Sequence, residues 1–337
     1  MKNIVIIDDY HEPDFKPSAL IKEYLRLVET DIRSYFLKQG KLQMIDCPGC
    51  GSNEINSTFA KFGLTYVECS ICHSLRISPR PETEAVYRYF TESSARFFWR
   101  DQLSKTTQKK RKEKIVKPRY EWIVDSYREY FPDAENILDI NTNQSVIVEE
   151  LVALANFKRK MLFNPFLDSD AIDLNGIEIL KGAIDDLGLE NEIDVITLFE
   201  VIDRTVDVDK LFTSIHRVLK DGGLCFITAI LSSGFDLQLL WDRADHLIPP
   251  DRMNVLSVEG FQALFERHGF KCLEFSTPGI LDLEIVARTI KENLEINIPR
   301  FVKYMIDNRG APTKKAFQQF LEANQLSSYG RILVKKE

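Results

Sequence analysis

Long apolar runs are missing from this sequence. The most apolar stretch, Leu224 to Leu231, is far too short to cross a bilayer as a helix, which argues against a membrane partner. The opening Met1-Lys2-Asn3-Ile4-Val5-Ile6-Ile7-Asp8-Asp9 has too short an apolar stretch for a signal peptide and no small-residue cleavage site. A cytoplasmic protein is therefore expected. Surplus positive charge is missing too: 44 Lys and Arg stand against 51 Asp and Glu, for a net charge of −7. That balance gives no support to a general nucleic-acid or membrane-surface binder. There is no G-x-G-x-x-G turn, which argues against a nicotinamide-dependent Rossmann enzyme. Six cysteines in a reducing compartment are not expected to form a disulfide framework.

Four of those cysteines are paired, as Cys47-Pro48-Gly49-Cys50 and Cys69-Ser70-Ile71-Cys72. Each C-x-x-C turn can aim two thiolates at one ion, and the spacer between them suits a four-cysteine zinc site. Thr58 to Gly63 and Thr65 to Glu68 read as a small hairpin around Gly63, the layout of a zinc ribbon. Four sulfurs saturate the metal, so His73 is not needed as a ligand and the role is structural. Cys225 and Cys272 lie in strand-like apolar segments and read as buried, inert thiols.

The chain divides into four stretches. Residues 1–45 form a strand-and-helix segment, with Leu20, Ile21, Tyr24, Leu25 and Leu27 at helical spacing. The zinc ribbon follows at 46–82 and closes on Pro79-Arg80-Pro81. A helical connector at 83–131 carries the basic run Lys109, Lys110, Arg111, Lys112 and Lys114, interrupted by Glu113. A solvated helix face explains this run better than nucleic-acid binding. From 132 to 337, strands at 136–140, 160–163, 178–180, 194–199 and 224–230 alternate with helices near 145–157, 167–175 and 207–219. Such alternation means βαβ units around a parallel sheet. A helix near 257–268 and a strand at 271–276 continue it, a helical insertion occupies about 281–328, and 331–335 forms a last strand. Asp282 could cap the first helix of that insertion, although Leu281 to Ile285 alternates as a strand would.

The segment Phe199-Glu200-Val201-Ile202-Asp203, followed by Leu211 to Ile230 with Val218-Leu219-Lys220-Asp221-Gly222-Gly223, resembles the class I S-adenosylmethionine-dependent methyltransferases. The resemblance extends to bacterial sugar and surface-polysaccharide methyltransferases that place a zinc ribbon before the catalytic domain. Pro79-Arg80-Pro81, Ser232 to Asp236, Pro249-Pro250, Ser276 to Gly279 and Leu326 to Ser328 carry that part. It implies an α/β, Rossmann-like methyltransferase sheet preceded by the ribbon and connector. It also implies S-adenosylmethionine as cofactor, at Asp139, Asn141, Asn143, Asn164 and Glu200, and a small polar acceptor such as a nucleotide-linked sugar.

Several positions depart from the family's pattern. The loop Asn141 to Ser145 has no glycine, so side chains occupy space the family leaves to the cofactor. Asn164 stands where the family has an acid that accepts both ribose hydroxyls. Asp203-Arg204, Asp251-Arg252 and Tyr329 stand where relatives tend to have histidine. Two readings follow. In one, the chain is an active methyltransferase with His246, or failing that Asp251, as the base. In the other, it is a non-catalytic relative that binds a ligand or a protein partner.

Overall fold

The computed structural model describes residues 17–38, 40–142, 157–166, 176–293 and 296–337. The apolar opening at 4–7, residues 145–156 and 167–175 of two expected helices, and Asn143 lie outside these residues.

Helix α1 (Ser18–Ile32) is prolonged by a π-turn at Arg33–Leu37. Tyr24, Val28, Ile32 and Phe36 recur every fourth residue and are all buried, forming the stripe that seats it. Strands β1 (Leu42–Gln43), β2 (Ile55–Lys61), β3 (Leu64–Cys69), β4 (Leu75–Ile77) and β5 (Arg80–Pro81) carry the cysteine segment. The β2–β3 hairpin turns at Phe62 and Gly63, whose φ values of 51° and 85° are those of a two-residue primed turn. The expected hairpin around Gly63 is thus present. Pro79-Arg80-Pro81 is more than a stop, because Arg80 and Pro81 pair with Gln43 and Leu42.

Helix α2 (Thr83–Glu92) leads to α3 (Ser94–Phe98), α4 (Lys105–Arg111) and α5 (Lys117–Tyr130), the last three joined by π-turns at Trp99–Ser104 and Lys112–Val116. The expectation of a wholly solvated basic face needs one correction. Lys109, Lys110 and Lys112 are exposed, but Arg111 turns inward, with its guanidinium 5.5 Å from the centre of the Trp99 ring. The π-turns on both sides of α4 rotate its faces away from regular α spacing.

The remaining elements are β6 (Asn136–Ile140), β7 (Arg159–Phe163), β8 (Glu178–Leu180), β9 (Ile193–Phe199), α6 (Val208–Val218), β10 (Leu219–Ile230) and α7 (Phe235–Leu240). After them come β11 (Asn254–Val255), α8 (Val258–Arg267), β12 (Phe270–Ser276), α9 (Asp282–Glu292), α10 (Arg300–Asn308), α11 (Ala311–Ala323) and β13 (Tyr329–Lys336). They build a seven-stranded sheet in the order β12-β13-β10-β9-β6-β7-β8. It is parallel from β10 to β8, whereas β13 runs antiparallel to both β10 and β12. Every residue of β9 is buried, as expected of a strand covered on both faces. The order reverses between β6 and β9, and that reversal opens a crevice beyond the strands' carboxyl ends.

Asp282 does not cap α9 as expected; the cap position is Leu281. The Asp282 carboxylate accepts instead from the Ser328 amide at 2.7 Å and the Ser327 hydroxyl at 2.5 Å. A long-range pair of donors satisfies it better than the helix's own first turn. This ties α9 to the approach of β13.

The cysteine segment is built into the larger fold. Strand β11 pairs with β4, placing Asn254 opposite Arg76 and Val255 opposite Leu75, so the sheet β11-β4-β3-β2 takes its edge from the Rossmann half. Ser257 caps α8 by accepting from the Gly260 amide at 2.8 Å, and its hydroxyl donates to the Cys72 carbonyl. Arg267, in the last turn of α8, donates to the Gly49 carbonyl at 2.8 Å. One helix therefore holds both cysteine turns.

Gly234 marks a second close approach, where a Cβ would lie 2.3 Å from the Ser328 Cα. The Gly234→Ala variant should lose about 1–3 kcal/mol of stability by overpacking against backbone. Gly310→Ala, whose Cβ would meet nothing nearer than 3.7 Å, should melt like the parent chain. Thermal or urea unfolding of the two variants checks the contrast.

Candidate active site and metal centre

The two cysteine turns repeat one geometry. The Cys47 amide donates to the Ser52 carbonyl and the Gly51 amide to Cys47, while Cys69 and His73 do the same with Ser74 and Cys69. Gly51 and His73 occupy the matching left-handed position, with φ of 78° and 57°. This backbone points both thiols of each turn inward. The four Sγ atoms lie within 4.8 Å of one another, with 3.5 Å between Cys47 and Cys72 and between Cys50 and Cys69. Metal–sulfur bonds of about 2.3 Å in a tetrahedron place sulfurs about 3.8 Å apart, so this donor set fits zinc. His73 stays outside the cluster, with Nδ1 3.6 Å from Glu68 Oε1.

At the crevice, β6 ends in Asp139-Ile140 and passes into Asn141-Thr142. Asp139 is buried; it accepts from the Thr197 hydroxyl at 2.5 Å and the Asn141 side-chain amide at 3.3 Å. The Asn141 backbone amide donates to the Phe163 carbonyl at 2.9 Å, which continues the β6–β7 ladder by one residue. Asn164 follows β7 directly, and its Oδ1 accepts from the Phe166 amide at 2.9 Å in a local Asx turn. Glu200 follows β9 with a φ of 57° and donates its backbone amide to Thr228. Asp139, Asn141, Asn164 and Glu200 thus stand at the ends of three adjacent strands.

Glu200 is clamped. Oε1 takes Arg119 Nη2 at 2.8 Å and Oε2 takes Arg252 Nη2 at 3.0 Å. Arg119, from α5, also donates to the Tyr329 hydroxyl and stacks 5.0 Å from the centre of the Phe199 ring. Arg252 Nη1 reaches Asp203 at 2.9 Å. Arg204 pairs with Asp251 at 2.8 Å, where Arg96 Nη1 lies at 3.6 Å and the Tyr24 hydroxyl donates at 2.7 Å. Burial raises the Glu200 and Asp251 pKa values, but the surrounding guanidinium groups outweigh it and hold both below the usual carboxylate range. Asp251, ionised and fully engaged, is poorly suited to accept a proton. His246 takes no part in this ion-pair network; its Nδ1 lies 3.6 Å from Oδ2 of the buried Asp236, at the start of α7.

Nothing in the sequence marks Tyr24, Arg96 or Arg119 as site residues, whereas Arg252 and Tyr329 already stand out as departures from the family's pattern. Tyr24 and Asp251, for example, are 227 positions apart. The nearest signal is the mixed run Asp251-Arg252 beside Asp203-Arg204, two acid–arginine pairs without histidine.

A sheet parallel but for the antiparallel strand β13, with acids at its carboxyl rim, is a Rossmann-like scaffold. The family described as a methyltransferase domain matches residues 98–274, more than half of the chain, and the protein belongs to that family. A search of curated proteins finds no match. Among solved structures, a SAM-dependent methyltransferase from Archaeoglobus fulgidus is similar at 12% identity and a TM-score of 0.43, over 76% of this chain and 100% of that one. An S-adenosylmethionine-dependent methyltransferase from Mesorhizobium loti is similar at 13% identity and a TM-score of 0.37, over 64% of this chain and 97% of its own. Among the described residues no helix is long and apolar enough to cross a membrane.

Asp203 titrates opposite to its neighbours. Burial pushes its pKa up to about 6, with Arg252 and Arg204 lowering it and Glu200 raising it. A carboxyl whose folded pKa exceeds the unfolded value carries no penalty well below about pH 4, costs stability progressively between about pH 4 and about pH 6, and adds no further cost above that. Relative to Asp203→Asn, the parent chain should lose about 2 kcal/mol between about pH 4 and pH 7. Urea unfolding at several pH values checks the sign; a constant difference would contradict it.

Proposed function

We propose that the protein binds S-adenosylmethionine at the rim formed by Asp139, Asn141, Asn164 and Glu200 and methylates a small polar acceptor, such as a nucleotide-linked sugar. The observation that carries this reading is the convergence of those residues on the crevice of a methyltransferase-family sheet. When bound, the cofactor supplies an activated methyl group on a sulfonium sulfur. Asp139 orients the rim through Thr197 and Asn141. Asn164 contributes one neutral amide to the ribose hydroxyls, a weaker grip than an acid. Asn143 belongs to the same proposed set. His246, backed by Asp236, takes the acceptor's proton at Nε2.

A specific observation favours a second reading, a non-catalytic binding or assembly protein. Asn164 Oδ1 is committed to its own turn, and Glu200 is held between two arginines. Calorimetric titration with S-adenosylmethionine separates the two. The active reading expects saturable binding, tightened about tenfold by Asn164→Asp. It also expects His246→Gln to abolish turnover without weakening that binding. No binding by either the parent or the Asn164→Asp chain would favour the second reading, and wild-type turnover in His246→Gln would remove that residue from the mechanism.

We also propose that Cys47, Cys50, Cys69 and Cys72 hold one structural zinc ion, a reading supported by the converging Sγ atoms. Metal analysis should find one equivalent per chain, and chelation should lower the melting temperature. Cys69→Ser should lose the metal; retention of a full equivalent in that variant would contradict the assignment.

A further inference from the structure

Among the described residues, the charges at the crevice do not balance. Arg96, Arg111, Arg119, Arg204 and Arg252 face Glu200, Asp203 and Asp251, so five guanidinium groups meet three carboxylates. Arg111 stacks on the Trp99 ring, which packs 5.1 Å from the ring of Tyr24, the donor to Asp251, and it lies within electrostatic reach of Glu200, Arg119, Arg204 and Arg252. Its Nε donates to the Thr107 hydroxyl at 3.0 Å, and among the described residues it has no carboxylate partner. Asp139 also acts on Arg119 but already takes the Thr197 hydroxyl and the Asn141 amide. With it counted, these five described cations still exceed the four described anions that they face.

Donors are left over as well. Arg119 uses Nε and Nη2 on Tyr329 and Glu200, which leaves Nη1 without an acceptor among the described residues. Arg204 uses Nε and Nη1, which leaves Nη2. Arg96 is 3% exposed, and its Nε has no hydrogen-bond partner among the described residues. Uncompensated positive charge in a poorly hydrated site is costly unless a counter-anion joins it. Arg111 is only half-buried, so such an anion has a way in.

We propose that Arg111 and Arg119 bind an anionic oxygen group, a phosphate or a carboxylate, carried by the acceptor, with Arg204 completing the charge. Guanidinium forks match both groups in two-point geometry. What the anion belongs to rests on the methyl-transfer reading; the anion site itself does not.

The test uses the zinc-loaded full chain, titrated calorimetrically with inorganic phosphate and separately with succinate, at ionic strength matched with chloride. Saturable binding of either anion is expected, with the tighter one naming the group. Arg111→Gln should weaken it about tenfold, Arg111→Lys should recover part of the loss, and the exposed Arg128→Gln should bind like the parent. Melting curves verify that each variant folds. Absence of saturable binding, or unchanged affinity in Arg111→Gln, overturns the proposal. A parallel titration with S-adenosylmethionine keeps the two failures apart. Anion binding without donor binding would leave the site standing and remove methyl transfer. Donor binding without anion binding would do the reverse.

Discussion

The interaction on which the rest depends is the double ion pair at Glu200. Arg119 belongs to the connector helix, Glu200 to the end of a central strand, and Arg252 to the loop that leads into the ribbon's edge strand. One carboxylate therefore fixes the relative positions of connector, sheet and ribbon. Buried ion pairs of this kind add little net stability over apolar packing, but breaking one partner is expensive because the others remain charged. The positive φ of Glu200 fits the same picture, since a sharp turn off the strand is what brings its side chain between the two arginines.

The ribbon gains from this arrangement. Four thiols at the ends of short strands enclose little apolar surface, and the zinc ion proposed for them would supply the missing free energy. Here helix α8 adds a second source of order, since its Ser257 cap and Arg267 bind the backbone of the two cysteine turns. The cysteine cluster and the arginine network are joined by a short path, from Cys72 through β4 to β11 and Arg252.

Much of this was legible in the sequence, for reasons that differ by element. Strands β6, β9 and β10 are short apolar runs that only a covered sheet can use, and the structure contains each of them. The paired cysteines and the turn at Gly63 are local patterns with local causes. Asp282 departs from the expected cap because its partners, Ser327 and Ser328, are distant in sequence, and Arg111 turns inward because the π-turns beside α4 shift its face toward Trp99 and Thr107. The arginine network depends on distant partners as well. Tyr24, Arg96, Arg119 and Arg252 meet only after the chain has folded. His246 is legible as a candidate base from its place in the loop after β10, whereas the packing of Asp236 beside it shows only in the fold.

The account's central claim is a donor site at the strand ends beside a cationic acceptor side. The most direct measurement is a crystal structure of the zinc-loaded chain grown with S-adenosylhomocysteine and phosphate. The account predicts the nucleoside against Asp139 and Asn164 and the phosphate between Arg111 and Arg119. A nucleoside bound elsewhere, or both ligands absent at saturating concentration, would contradict it.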